Sequence, residues 1–243
     1  MRRLFLRPPS ALRCLGGALL GMLVPGLGFA DHKIYSPRVE AGEWEVELRG
    51  HRDFDSDDSL DGGQAHKGTL GYGLTDAWFT ELVVEYEKSP GSSGEVEAIE
   101  WENIFELADP DGSVGFGLYA EYAWARESDD PDGVVLGALV EKAFARWTAT
   151  ANLFLEREIG SHASDDTGVD YALRARLPAG DEWAWGLEGY GARGGRQQAG
   201  PALYGDIGLG VESELEWRFG LLFGLDGDVP AETLFWEFEL GFE

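Results

Sequence analysis

The 243-residue sequence contains a single cysteine, Cys14, and no apolar run of the length that a membrane-spanning helix requires. Such a helix needs about 20 consecutive, mostly apolar residues. With one cysteine the chain has no disulfide framework, and Arg13 before Cys14, where a small residue would be needed, excludes a lipoprotein anchor. If the chain lies in a membrane it must cross as a closed β-barrel, because only helices and closed barrels pair all their backbone polar groups in lipid.

Positive charge is scarce as well. The sequence has 19 Lys and Arg against 45 Asp and Glu, which gives a net charge of −26 at pH 7. Nucleic acid binding depends on basic side chains that neutralise phosphates. The composition therefore predicts no nucleic acid partner.

The first 30 residues are predicted to be a cleaved signal peptide. Four arginines form a basic start, residues 15–24 form a short apolar segment, and small residues precede Asp31. Cleavage would remove those four arginines, Cys14 and no acidic residue, so the net charge of residues 31–243 becomes −30. The alternative is that the segment stays as an N-terminal membrane anchor.

Apolar and polar side chains alternate along most of the chain after this leader. In residues 78–87, Leu82 and Val84 fall on one face while Glu81 and Glu85 fall on the other. Strict alternation indicates β-strands with one apolar and one polar face. The pattern recurs often enough to predict about twelve strands, each near the nine to eleven residues that cross a bilayer at a tilt.

The connections between these strands alternate in length. Those after even strands are predicted to be tight turns, whereas those after odd strands are long and polar, near residues 53–64, 88–95, 125–133, 160–168, 193–200 and 226–231. Outer-membrane barrels have an even strand number, short periplasmic turns and longer extracellular loops. We therefore predict that residues 31–243 form an all-β, antiparallel, up-and-down transmembrane β-barrel. The strand near residues 134–143 is apolar on both faces, which leaves its register open.

Aromatic residues recur near the start of the odd strands, beside the predicted periplasmic turns. They are Trp44, Trp78, Phe116, Trp147, Trp183 and Trp217. Amphipathic rings at one height are typical of the aromatic girdle of a membrane barrel. The alternative is that these residues form the core of a soluble barrel.

Two stretches resemble a known kind of protein. The hexapeptide Gly-Leu-Thr-Asp-Ala-Trp at residues 73–78 resembles a turn that recurs in predicted outer-membrane barrel families, including the porin-like proteins associated with meta-pathway phenol degradation. Residues 32–44 resemble uncharacterised proteobacterial proteins of that kind. The resemblance implies a place in the outer membrane of a Gram-negative bacterium and a transport role, and it carries over no functional residue. Barrels of this kind usually end on an aromatic residue that the barrel-assembly machinery recognises, whereas here Phe242 is penultimate.

If the apolar face meets lipid, the other face of each strand lines the lumen. The candidate lumen-lining residues are Glu45, Glu47, Arg49, Glu81, Glu85, Glu100, Glu102, Glu121, Arg174, Arg176, Arg218, Glu237 and Glu239. Excess carboxylates favour cations in an open pathway. The alternative is a merely polar interior whose charges are satisfied by water and arginine pairs.

Two further features of the sequence are compatible with other functions. His51 and His66 flank the first long loop, where an outer-membrane hydrolase could place a catalytic base. The acidic residues 53–62 resemble a calcium loop, but Asp58 stands where an EF-hand needs glycine and Gln64 where it needs glutamate. We therefore expect no metal site and no cofactor, although divalent ions could bridge such loops to lipopolysaccharide.

The sequence thus predicts an outer-membrane channel or transporter for small, preferentially cationic solutes, and not an enzyme. The expected partners are outer-membrane lipid and lipopolysaccharide, a small-molecule solute and the barrel-assembly machinery. A non-conducting structural or adhesive barrel is the first alternative, and a hydrolase is the second.

Overall fold

The computed structural model of the protein describes residues 32–108, 114–127 and 130–243. The predicted signal peptide and residues 128–129 of the predicted loop at 125–133 lie outside these ranges. The described residues contain no helix that is long and apolar enough to cross a membrane.

The described chain is built from twelve antiparallel strands. They are β1 (Trp44–Phe54), β2 (Gln64–Thr75), β3 (Trp78–Lys88), β4 (Glu95–Ala108), β5 (Val114–Ala125), β6 (Asp132–Ala143), β7 (Thr148–Ile159), β8 (Gly168–Pro178), β9 (Trp183–Ala192), β10 (Gly195–Gly208), β11 (Ser213–Gly224) and β12 (Glu232–Phe242). Each strand pairs with the next along the chain, and β1 pairs with β12 to close the sheet. The predicted twelve-stranded, up-and-down barrel is confirmed.

The two faces of the wall differ sharply in polarity. On β3, Leu82 and Val84 are 56% and 49% exposed on the outside, whereas Glu81 and Val83 are 3% and 0% exposed. Large apolar side chains stand on the outer face of every strand, an exterior that is unfavourable in water and suited to lipid. The closed barrel with this apolar exterior is an outer-membrane protein of the Gram-negative type.

The connections after even strands are short and those after odd strands are longer, as predicted, with one exception. A long loop was expected at residues 193–200, but β9 ends at Ala192 and β10 begins at Gly195, so that expectation is wrong. Gly194 and Gly195 have φ values of 102° and 147°, which side chains with a Cβ rarely adopt. This glycine pair lets the chain reverse at once, and a bulge before Gln198 restores the register.

The strand whose register the sequence left open is β6. It is apolar on both faces for a structural reason. Val135 and Leu139 point inward and are 5% and 1% exposed, because they pack in a cluster around Tyr35. An apolar inner face on this strand therefore matches an apolar partner inside the barrel.

That partner is the chain that precedes β1. Residues 32–43, called here the lumen segment, run inside the barrel rather than outside it. The segment is extended, so Ile34 packs against the wall of β8–β12 while Tyr35 packs against the wall of β3–β7. Pro37 lies over Gly115 and Gly117, where an added Cβ would come within 2.9 Å of the proline ring. Glycine at these inward positions gives the segment room to pass.

Candidate functional site

The structure places every candidate lumen residue on the inner face of the wall. Eight of them, Glu47, Arg49, Glu81, Glu85, Glu100, Glu102, Arg218 and Glu237, are buried or take part in the ion pairs beside the lumen segment. Glu45, Arg174, Arg176 and Glu239 line a cavity at the periplasmic end, and Glu121 accepts a hydrogen bond from the inward Tyr119. Their part in selecting ions stays a prediction.

Arg218 is the centre of one buried network at mid-height. Its guanidinium donates to both carboxylate oxygens of Glu188 at 3.0 Å and to Glu237 at 2.6 Å. A further bond, of 2.6 Å, reaches the backbone carbonyl of His32 in the lumen segment. Tyr190 donates its hydroxyl to Glu188 at 2.5 Å and also lies next to His32. This arginine therefore joins three strands to the segment.

A second network adjoins the first, since Arg49 on β1 lies directly across from Glu237 on β12. Lys67 donates to the two carboxylate oxygens of Glu100 at 3.0 and 2.9 Å. Arg49 contacts Glu47 and lies 3.5 Å from Glu102. Buried charges are tolerated when each has a partner of opposite sign, and here each carboxylate has one. We call these two networks together the central layer.

The lumen segment is bound to the wall by specific hydrogen bonds. The Tyr35 backbone N–H donates to Asn152 Oδ1 at 2.8 Å, and Asn152 Nδ2 donates to the Tyr35 carbonyl at 2.9 Å. This side chain thus satisfies the backbone polar groups as a neighbouring strand would. The Tyr35 hydroxyl donates to Glu102 at 2.8 Å, and the His32 ring pairs with Gln198 at 3.0 Å. These bonds hold the segment in one position in the lumen, which is called here its seat.

Two cavities lie on either side of this layer. The periplasmic vestibule has a volume of about 730 Å³ and is bordered by residues 33–40 of the segment. The extracellular vestibule, near His51 and Asp53, has about 230 Å³. Between them, beside His32 and Arg218, is a pocket of about 10 Å³, which has room for about one water molecule. The seated segment and the central layer therefore separate the two vestibules.

The charge of the periplasmic vestibule is strongly unbalanced. It is lined by ten carboxylates, Glu40, Glu43, Glu45, Asp76, Glu81, Glu106, Glu141, Glu216, Glu237 and Glu239, and by four cationic side chains, Lys33, Arg38, Arg174 and Arg176. Burial and the neighbouring Glu40 raise the pKa of Glu43, just before β1. Burial alone would lower the pKa of Lys33, but the carboxylates of Glu47 and Glu81 raise it well above its ordinary value. Lys33 is therefore charged throughout the neutral range.

The predicted girdle residues lie at the periplasmic end. Trp44, Trp78 and Trp183 begin their strands, Trp147 directly precedes β7, and Phe116 and Trp217 lie just inside β5 and β11. Five are exposed on the outside, while Trp217 packs over Gly205. The Trp78 indole donates to Asn103 at 3.0 Å, so its N–H is satisfied within the wall. A membrane-anchoring role for the ring stays a prediction.

The two histidines of the hydrolase alternative lie on opposite faces of the wall. His51 points into the lumen, 3.7 Å from Asp53, whereas the His66 ring contacts Tyr86 and Trp236 in tilted geometry on the outer face. One catalytic site cannot contain both. Two groups of three carboxylates, Glu47 with Glu237 and Glu239, and Glu100 with Glu102 and Glu121, have oxygens close enough to hold a metal ion, but both belong to the ion-pair networks described above.

Sequence reasoning missed the lumen segment and the side chains that hold it. Ile34 and Tyr35 were assigned no role, and the roles of Asn152 and Tyr190 were not foreseen. The available signal was an apolar pair in a segment without a strand pattern. The glycines at 115 and 117 on an inward face were the second signal.

The fold is shared with bacterial porins and channels. No protein-family model and no curated protein matches the sequence. The COG4313 outer membrane channel from Pseudomonas putida F1 superposes with a TM-score of 0.62 at 14% identity, over 84% of this chain and 96% of that one. The NanC porin gives 0.54 at 8%, over 82% and 99%. The KdgM porin, in complex with disordered oligogalacturonate, gives 0.54 at 5%, over 82% and 98%. At these identities the likeness establishes a porin-like barrel fold.

Proposed function

We propose that the protein is an outer-membrane channel for small solutes and that it prefers cations. The observation that carries the proposal is the periplasmic vestibule, where ten carboxylates face four cationic side chains around about 730 Å³. A cleft lined by charge of one sign raises the local concentration of ions of the opposite sign. The porin-like fold supports a transport role.

Transport requires the lumen segment to leave its seat, because the segment and the central layer separate the two vestibules. The segment is joined to the wall by hydrogen bonds at His32 and Tyr35, by ion pairs at Lys33, and by apolar contacts at Ile34 and Tyr35, all of which are non-covalent. A bound segment that can detach is a gate. A segment that never detaches makes the protein a non-conducting barrel, and the Tyr35 to Asn152 pairing is the observation in favour of that second candidate.

Planar-bilayer recording separates the two candidates. In a KCl gradient we expect the mature protein to open rarely, with a current whose reversal potential lies toward that of K⁺. A variant lacking residues 32–41 should carry a steady current. Changing Glu45, Glu216 and Glu239 together to Gln should bring the reversal potential toward zero. The matched control changes the exposed Glu127, Glu182 and Glu212 to Gln. A shortened variant that carries no current would refute the channel proposal.

Further proposals concern the processing of the chain, its insertion into the membrane, its partners and its relatives. Residues 1–30 are proposed to be removed as a signal peptide, and the barrel-assembly machinery to insert the chain. The acidic extracellular loops are proposed to meet lipopolysaccharide through divalent cations. We also propose a kinship with the porin-like proteins of meta-pathway phenol degradation, which rests on residues 32–44 and 73–78. The placement of His51 and His66 supports a protein that is not an enzyme.

A further inference from the structure

The side chain of Lys33 extends from the lumen segment into a pocket of wall carboxylates. Its Nζ lies 2.8 Å from Glu47 Oε2 and 3.3 Å from Glu81 Oε1. The lysine side chain is 11% exposed, and the two glutamates are 1% and 2% exposed. Oxygens of Glu237 and Glu239 lie within 4.8 Å of one of Glu47. We call these four glutamates the ammonium pocket.

The pocket belongs to the wall, whereas its cation belongs to the removable segment. Among the described residues, Lys33 is the cation within salt-bridge distance of Glu81. Arg49 contacts Glu47, and Arg218 contacts Glu237. When the segment leaves, Glu81 loses this cation while its carboxylate still faces the lumen. The wall then presents an acidic pocket that a free cation can enter in place of Lys33.

Glu81 itself points to a ligand with more than one donor. Its Oε2 is buried and has no hydrogen-bond partner in the described structure, although Oε1 contacts Lys33. Leaving a buried acceptor of this kind unsatisfied is unfavourable. A solute ammonium placed from the open side can donate to this oxygen with one of its three N–H groups.

The open side is the periplasmic vestibule. Lys33, Glu81, Glu237 and Glu239 all line this cavity of about 730 Å³, which is within the range of volumes that hold small ligands. We propose that the ammonium pocket binds the primary ammonium group of a transported solute, and that Lys33 occupies it as a built-in competitor while the segment is seated. This inference rests on the proposed channel function and names the class of solute: small molecules with a primary amine.

The competition has a measurable consequence. A tethered group acts at an effective concentration in the millimolar range, so it lowers the apparent affinity of any free ligand for the same pocket. Removal of the Lys33 ammonium should therefore strengthen ligand binding. Loss of a pocket carboxylate should weaken it.

The test uses n-butylammonium chloride, which has the carbon chain and charge of a lysine side chain, titrated calorimetrically into the mature protein in detergent micelles. We expect Lys33→Met to bind it at least about tenfold more tightly than the wild type, as release from a millimolar tethered competitor implies. Lys142→Met, the same change at an exposed lysine, should leave the affinity unchanged. Butan-1-ol and tetramethylammonium, which lack the charge or the N–H donors, should not bind.

The pocket itself is tested with Glu81→Gln and with the exposed control Glu182→Gln. We expect only Glu81→Gln, made in the Lys33→Met background, to weaken n-butylammonium binding about tenfold or more. Equal affinity in the wild type and Lys33→Met would overturn the inference, as would equal affinity in the two Gln variants. If Glu81→Gln does not fold, as judged by migration on gels with and without heating, the Lys33→Met and Lys142→Met pair still decides.

The two proposals fail separately. A cation-selective current without a Lys33-dependent n-butylammonium site would overturn this inference and leave the channel proposal standing. A Lys33-dependent site in a protein that never conducts would support the pocket and overturn the channel.

Discussion

The central layer and the periplasmic vestibule are built from the same residue type on the same inner face, yet their charges are handled differently. In the central layer, Glu100 and Glu188 each lie within about 3 Å of a lysine or arginine. In the vestibule, Glu239 lies directly opposite both Glu47 and Glu216 in register. Like charges opposite each other in a sheet are destabilising. One region is balanced internally and the other attracts cations from outside.

This difference separates structure from function within one lumen. A balanced, buried network such as that around Arg218 holds the lumen segment in place and tolerates little change. The unbalanced vestibule keeps its excess negative charge at a cost in stability, which is expected where a site serves binding rather than folding. Changes in the two regions should therefore have opposite effects on stability.

The largest effect is expected from Arg218→Met, which breaks the central layer. The change leaves Glu188 and Glu237 buried without their partner, and removal of one member of a buried ion pair costs about 3–5 kcal/mol. Urea unfolding in lipid vesicles measures this loss. The matched control is Arg126→Met, because Arg126 and its partner Glu95 are 57% and 58% exposed and such pairs contribute less than about 1 kcal/mol. Equal losses in both variants would contradict the assignment of the central layer.

A comparable but local effect is expected from Tyr35→Ala. Truncation of a buried aromatic ring costs about 3–5 kcal/mol, and here the cost falls on the seated state of the lumen segment. The equilibrium between seated and released segment should move toward release by about a hundredfold or more, visible as a rise in open probability in planar bilayers. Tyr72→Ala, which removes a tyrosine whose ring contacts Trp44 at the outer face, is the control and should leave gating unchanged.

The wall of the barrel was predictable because its pattern is local. The placement of Leu82 and Val84 on one face and Glu81 on the other follows from the two-residue period of a strand, and turn residues define where strands end. The position of the lumen segment was not predictable, because Tyr35 contacts Asn152 and Glu102 across 117 and 67 positions of sequence. Such pairings depend on the closure of the whole barrel, which no local pattern encodes.

A smaller effect of opposite sign is expected in the vestibule from Glu239→Gln. The change removes a charge that opposes Glu47 and Glu216, and cross-strand charge pairs contribute about 0.2–1 kcal/mol. The free energy of unfolding should therefore rise by a few tenths of a kcal/mol, while the K⁺ preference falls. A loss of stability, compared with the exposed control Glu182→Gln, would show that the vestibule is balanced like the central layer.

The smallest effect concerns the extracellular loops, where backbone amides hold the carboxylate of Asp55. The N–H groups of Asp57 and Ala231 donate to Asp55 at 2.7 Å each and lower its pKa. A lowered pKa in the folded state means that this tether is fully present above the ordinary Asp pKa and is lost as the pH falls through the folded value. The amide proton of Ala231, followed by NMR, should therefore shift at a pH below the usual Asp range, and Asp55→Asn should abolish the shift while Asp58→Asn keeps it. A transition at the usual Asp pKa would mean that the loops are not tethered at this carboxylate.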